Sequence, residues 1–75
     1  MSEHLLDAIG LKCPLPVLKA RKVMKPLQAG EVLRILATDP SARQDFQSFC
    51  ETTGYRLISI EDRDDVTLEI LIEKT

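Results

Sequence analysis

The hydrophobic pattern of this chain switches four times between strand-like and helix-like segments within 75 residues. That alternation limits the possible folds more than any single motif. His4–Ala8 (HLLDA) reads as a short strand and Gly10-Leu11-Lys12 as a turn. Cys13-Pro14-Leu15-Pro16 then opens a helix that runs to Met24 or Lys25, with Val17, Ala20, Met24 and Leu27 at helical spacing. Pro14 and Pro16 suit its start because first-turn amides have no intrahelical partner to lose. Pro26 and Gly30 end it. Glu31–Thr38 (EVLRILAT) reads as a second strand, apolar enough for the middle of a sheet. Asp39-Pro40-Ser41 is a turn that offers an N-cap to a helix from Ala42 to Thr53. That helix carries Ala42, Phe46, Phe49, Cys50 and Thr53 on one face. Gly54 fits its left-handed C′ position. Tyr55–Glu61 is a third strand, and Asp62-Arg63-Asp64-Asp65 a turn. Val66, Leu68, Ile70 and Ile72 then alternate with Thr67, Glu69, Leu71 and Glu73, the period of a fourth strand.

The order β-α-β-α-β-β predicts an α+β fold: a two-layer sandwich, with both helices on one face of a mixed four-stranded sheet. Crossovers between parallel strands are expected to be right-handed. If the first two strands are parallel, their C-terminal ends share one edge. Gly10–Cys13 and Thr38–Ser41 then lie together where α/β sheets usually meet ligands. The opposite face of the sheet is left under-covered, with Glu69 and Arg56 available to solvate it. Residues 1–75 form a single domain, with too little chain to enclose a deep cavity.

Composition removes several function classes. No apolar run reaches the ~18 residues of a membrane span, and Met1-Ser2-Glu3-His4 lacks the layout of a signal peptide, so a cytoplasmic protein is expected. Tyr55, Phe46 and Phe49 are the whole aromatic complement, and the net charge is −2, which argues against direct contact with nucleic acid. No phosphate-binding or zinc-protease motif occurs. Cys13, Cys50 and His4 are too few, and wrongly spaced, for a structural metal site. There is no C-x-x-C pair, and a disulfide is disfavoured in the cytosol.

Two free thiols remain, and their settings differ. Cys50 shares an apolar face with Phe46 and Phe49 and is expected in the core as a small hydrophobe. His4 is expected to be an exposed surface residue. Cys13 sits where a strand-following turn meets a helix start. With Cys13 as N-cap, Pro14 is N1 and Pro16 is N3, and the Leu15 N–H is the nearest remaining donor. Helix N-termini favour negative charge, so a lowered thiol pKa is expected. Residues 12 to 25 add Lys12, Lys19, Arg21, Lys22 and Lys25 with no acid, whereas residues 61 to 75 hold six acids and two bases. A solvated helix face carries such charges too, and a cysteine before a proline-started helix can be a plain small residue. As a working nucleophile, Cys13 lacks an evident acid, base, metal or pocket. A carrier needs none of these: it takes a group by thiol exchange while its partners supply the remaining chemistry.

The series Asp7-Ala8-Ile9-Gly10-Leu11-Lys12-Cys13-Pro14-Leu15-Pro16 resembles the signature of the TusA/SirA-like sulfur-carrier family. The likeness continues through Lys19, Arg21-Lys22, Gly30-Glu31, Asp39-Pro40, Asp45 and Gly54. The resemblance implies a sulfurtransferase that holds a transient persulfide on Cys13, framed by Gly10, Pro14 and Pro16, with no resident cofactor. It implies a cysteine desulfurase or another sulfurtransferase as donor. The downstream acceptor protein would lie in tRNA thiolation, sulfur oxidation, molybdenum-cofactor supply or selenium metabolism. The surface around the cysteine (Lys12, Lys19, Arg21, Lys22 and Asp39) would dock these partners. Two positions depart from the family pattern. Leu15 stands where the tRNA-thiolation branch tends to have an acid, and Phe46-Gln47 replaces a frequent Ile-Pro pair. A non-catalytic regulatory module of the same fold is the alternative, and an RNA-binding module is a third reading that the acidic pI near 5.3 opposes.

Overall fold

A computed structural model describes residues 3–75; Met1 and Ser2, the start of the segment tested for a leader, lie outside the described residues. The elements are β1 (Glu3–Ala8), α1 (Leu15–Met24), β2 (Val32–Ala37), α2 (Ala42–Thr53), β3 (Arg56–Asp62) and β4 (Leu68–Glu73). The expected element order holds. The sheet order is β1-β2-β4-β3. β1 runs parallel to β2, from Glu3 opposite Val32 to Ala8 opposite Ala37. β4 is antiparallel to both β2 and β3, and the β3 pairing carries a bulge between Leu57 and Ser59.

Both helices cover one face, for the reason the alternation predicts. Leu33, Ile35 and Ala37 of β2, Ile70 and Ile72 of β4, and Ala8 of β1 point the same way. They meet Ala20 and Met24 of α1 and Ala42, Phe46, Phe49 and Cys50 of α2. Phe46, Met24, Leu33, Ile35, Ile70 and Ile72 are fully buried, and each contributes about 1.5–3 kcal/mol by leaving water. The near-continuous apolar run of β2 follows from its central place: Val32 and Leu36, on the other face, are half-buried as well.

That second face differs from expectation. Glu69 is not a solvating side chain but is only 7% exposed, because two arginines close over it. Arg34 Nη1 lies 2.6 Å and Arg63 Nη1 3.0 Å from its Oε2. Arg34 also reaches Glu3 at 3.1 Å. Arg56 is exposed, as expected, and pairs with Glu73 at 3.5 Å. Charges thus cover part of a face that lacks helices, and Leu5 beside them stays 65% exposed.

Two further expectations are corrected. The fourth strand starts at Leu68 rather than Val66, because the Asp64 carboxylate accepts hydrogen bonds from the Val66 and Thr67 amides, both at 2.9 Å, and holds them in the turn. His4 is not simply exposed: it is half-buried, and its Nε2 lies 3.0 Å from Glu31 Oε1. The end of α1 also depends on distant chain. Lys74 Nζ donates to the carbonyls of Met24 (2.8 Å) and Lys25 (3.1 Å), satisfying acceptors that a helix C-terminus leaves open.

Candidate functional site around Cys13

Cys13 lies on the loop after β1, at the sheet edge where the parallel pair β1 and β2 ends. Two hydrogen bonds tie that loop to the segment after β2. The Gly10 N–H donates to Thr38 Oγ1 at 2.9 Å, and the Cys13 N–H donates to the Asp39 carboxylate. Gly10 adopts φ +83°, a left-handed conformation that glycine reaches without a Cβ penalty. Asp39 also accepts from the Ser41 amide (3.0 Å) and hydroxyl (2.9 Å). Both carboxylate oxygens are therefore engaged, and Asp39 acts first as a clamp between the two loops.

The helix start differs in register from the sequence reading. α1 begins at Leu15, with Pro14 as N-cap and Pro16 at the second helical position. Cys13 stands one residue outside the cap, joined to Pro14 by a cis peptide bond. The Leu15 amide does not face the sulfur, because it donates to the Lys12 carbonyl at 2.8 Å. Pro16 is buried against the core side of the helix, whereas Pro14, Lys12 and Cys13 are exposed.

The expected lowering of the thiol pKa is overturned. The Cys13 pKa is raised above its ordinary value. The main cause is a hydrogen bond to the Asp45 side chain, followed by desolvation and the negative charge of Asp45; Asp39 adds to the rise and a hydrogen bond from Ser41 opposes it. Carboxylates next to a thiol disfavour its thiolate. Lys12, expected to favour the thiolate, instead acts on Asp39. The Asp39 carboxyl is held below its ordinary range, chiefly by the Ser41 and Cys13 amides, with Lys12 contributing. Cys13 therefore holds its proton more tightly than an ordinary cysteine.

A shallow groove of about 280 Å³ runs from the sulfur between the two helices. It is lined by Cys13, Pro14, Val17, Arg21, Asp45, Ser48, Phe49 and Thr52. Arg21 crosses the Phe49 ring, 5.7 Å from its centroid. A second hollow of about 290 Å³ lies on the other side, lined by Gly10, Leu11, Lys12, Thr38, Asp39 and Pro40. Lys19 and Lys22 are exposed on α1, as are Leu15 and Leu18, at 46% and 51%.

The structure thus brings together Gly10, Lys12, Cys13, Pro14 and Asp39, with Arg21 at the far wall of the groove. Sequence reasoning did not assign a part to Asp45 or Ser41. The position of Ser41 at the N-cap and of Asp45 in the first turn of α2, next to the Asp39 turn, was the available signal. Cys50 is buried as expected, and burial pushes its thiol up to about 11. Among the described residues no three His, Cys, Asp or Glu side chains are grouped to hold a metal ion. No helix among them is long and apolar enough to cross a membrane.

Comparison with known proteins agrees on one family. The profile of the family described as Sulfurtransferase TusA matches residues 4–74. A protein of Neisseria meningitidis serogroup A, provisionally named a sulfur carrier protein, is 47% identical over 88% of this chain and 89% of its own. The sulfur carrier protein TusA of Allochromatium vinosum is 44% identical over 76% of this chain and 75% of its own. The crystal structure of a SirA-like protein from Desulfitobacterium hafniense superposes with a TM-score of 0.82 at 33% identity, covering 92% of this chain and 93% of that one.

Proposed function

The chain belongs to the sulfurtransferase TusA family, and from that premise we propose that it carries sulfur as a persulfide on Cys13. The Cys13 sulfur attacks the terminal sulfur of a donor persulfide, and the donor's thiolate leaves. A second thiol, on the acceptor, later repeats the attack on the sulfur that Cys13 holds. The donor is a cysteine desulfurase or another sulfurtransferase, and the acceptor is a protein of tRNA thiolation, sulfur oxidation or cofactor sulfuration.

One observation carries this reading: the Cys13 sulfur is exposed, yet its loop is fixed to the sheet edge by Gly10 and Asp39. Such a thiol can be presented to two enzymes in turn. A body of 31 × 22 × 17 Å brings little bulk into a partner's cleft. Lys12, Lys19, Arg21 and Lys22 form the docking surface for an acidic partner, where complementary charge sets orientation and encounter rate. Leu15 and Leu18 add apolar contact. Asp39 contributes indirectly, by holding the Cys13 loop.

Incubation with a cysteine desulfurase and cysteine, followed by intact mass measurement, tests the reading. The expected result is one added sulfur that reductant removes and that Cys13→Ser lacks. Absence of any adduct, from desulfurases and small persulfide donors alike, overturns it.

A further inference from the structure

Resting on the carrier reading, a further inference concerns what the groove beside Cys13 holds. Both helices begin at the sheet edge that carries the Cys13 loop, since α1 follows β1, α2 follows β2, and these two strands are parallel. The groove of about 280 Å³ between them extends along both helices, from Cys13 to Arg21 and from Asp45 to Thr52. Its floor is apolar, with Val17 from α1 and the Phe49 ring, 4% exposed, from α2. Its walls carry one charge of each sign. Asp45 lies four residues before Phe49 on α2, about one helical turn nearer the Cys13 end. Arg21 lies on the facing wall, its guanidinium 5.7 Å from the centre of the Phe49 ring. Among the described residues, neither Arg21 nor Asp45 enters an ion pair. Two opposite charges are thus held apart over an apolar floor, with a nucleophile at the mouth.

That arrangement selects by charge. A purely anionic ligand is repelled by Asp45, and a purely cationic one by Arg21. A ligand with both an ammonium and a carboxylate satisfies both walls, and the arginine fork matches a carboxylate in two-pronged geometry. A few placed polar groups on an apolar lining are what orient a small ligand. We propose that the groove binds α-amino-acid persulfides, of which cysteine persulfide is the simplest, and that these load Cys13 directly, without a donor protein. The ammonium pairs with Asp45, the carboxylate pairs with Arg21, and the carbon chain lies on Val17 and Phe49. In loading, the bond from the Cys13 sulfur to the terminal sulfur of the ligand forms. The S–S bond of the ligand breaks, and its electron pair leaves with the cysteine sulfur. The proton that the Cys13 thiol gives up to water is matched by the one that the leaving cysteine thiolate takes from it. One thiol and one persulfide are consumed and one of each is formed, so no oxidant or reductant is required.

Three probes test the assignment: cysteine persulfide; N-acetylcysteine persulfide, which lacks the ammonium; and cysteamine persulfide, which lacks the carboxylate. Loading rates at limiting persulfide are read by intact mass on the wild type, Arg21→Gln and Asp45→Asn. Arg21→Gln is expected to lower the preference for cysteine persulfide over cysteamine persulfide by about two- to fivefold, the worth of an exposed ion pair, and to keep the preference over the N-acetyl compound. Asp45→Asn is expected to do the reverse. Altered thiol reactivity or a fold defect changes all three rates alike and cancels in these ratios. Unchanged ratios in either variant overturn the proposal. So does a wild type that a cysteine desulfurase loads but cysteine persulfide does not. A wild type that takes no sulfur from any donor refutes the carrier reading itself.

Discussion

Replacing Phe46 by Ala probes how the second helix is held, because this is the residue at which the chain departs from its family's Ile-Pro pattern. Phe46 is 0% exposed. Its ring meets Phe49 edge-on, with centroids 6.1 Å apart at 87°, and Phe49 meets Tyr55 in turn at 5.7 Å. Truncating a buried Phe costs about 3–5 kcal/mol in lost transfer energy and cavity, of which the edge-to-face pair accounts for about 0.5–1.5 kcal/mol. A chain of this size has about 4–11 kcal/mol of stability in total. Phe46→Ala is therefore expected to lose about a quarter or more of it and to melt at least ~12 °C lower. Phe46→Leu, which keeps most of the volume, is expected to cost about 1 kcal/mol. Urea titration followed by far-UV circular dichroism measures both. A loss below about 1 kcal/mol for Phe46→Ala, with an unchanged denaturant slope, refutes the assignment of Phe46 to the core.

Other expectations follow from the two thiols and the acidic turn. Under native conditions near neutral pH, a thiol reagent is expected to add once, at Cys13, and a second time only after unfolding. The Cys50 thiol, pushed up to about 11 by burial, holds its proton in the folded state while an unfolded cysteine releases it above 9.0. That difference costs stability as pH rises through 9 toward 11, so alkaline unfolding should begin in this window and weaken in Cys50→Ala. Asp64 behaves in the opposite sense. The Val66 and Thr67 amides hold its carboxyl below the ordinary value of 3.8. Its stabilisation is present above that value and is lost as pH falls below it. Asp64→Asn should therefore lower stability near neutrality and flatten the decline below pH 3.8, as read by thermal melts across pH.

Local pattern carried the fold well. The periodicity of α2 marked Ala42, Phe46, Phe49, Cys50 and Thr53; the first four are buried, and Thr53, at the helix end, is half-buried. Gly54 was legible as a left-handed helix end, and it closes α2 at φ +83°. The order β-α-β-α-β-β left the two-layer architecture little choice. Elements were misread where the deciding contact came from elsewhere in the chain. Val66 has strand-like alternation, but Asp64 holds its amide. Glu69 looked like a solvated strand residue, but Arg34 and Arg63 arrive from other segments to close over it.

The same division applies at the site. The sequence by itself determined that one cysteine stands beside a proline-started helix with basic residues following, at the end of the first strand; the tertiary structure made that strand parallel to the second. Helical spacing, proline constraints and strand order depend on near neighbours, so they can be read along the chain. Only the tertiary structure decided the charge that the sulfur experiences. Asp39 and Asp45 lie 26 and 32 residues beyond Cys13; the parallel pairing of β1 with β2 brings the first to the Cys13 loop, and packing α2 beside α1 brings the second. An electrostatic environment sums over everything nearby in space. The local rule of a helix N-terminus favouring thiolate therefore gave way to two carboxylates that only the fold could deliver.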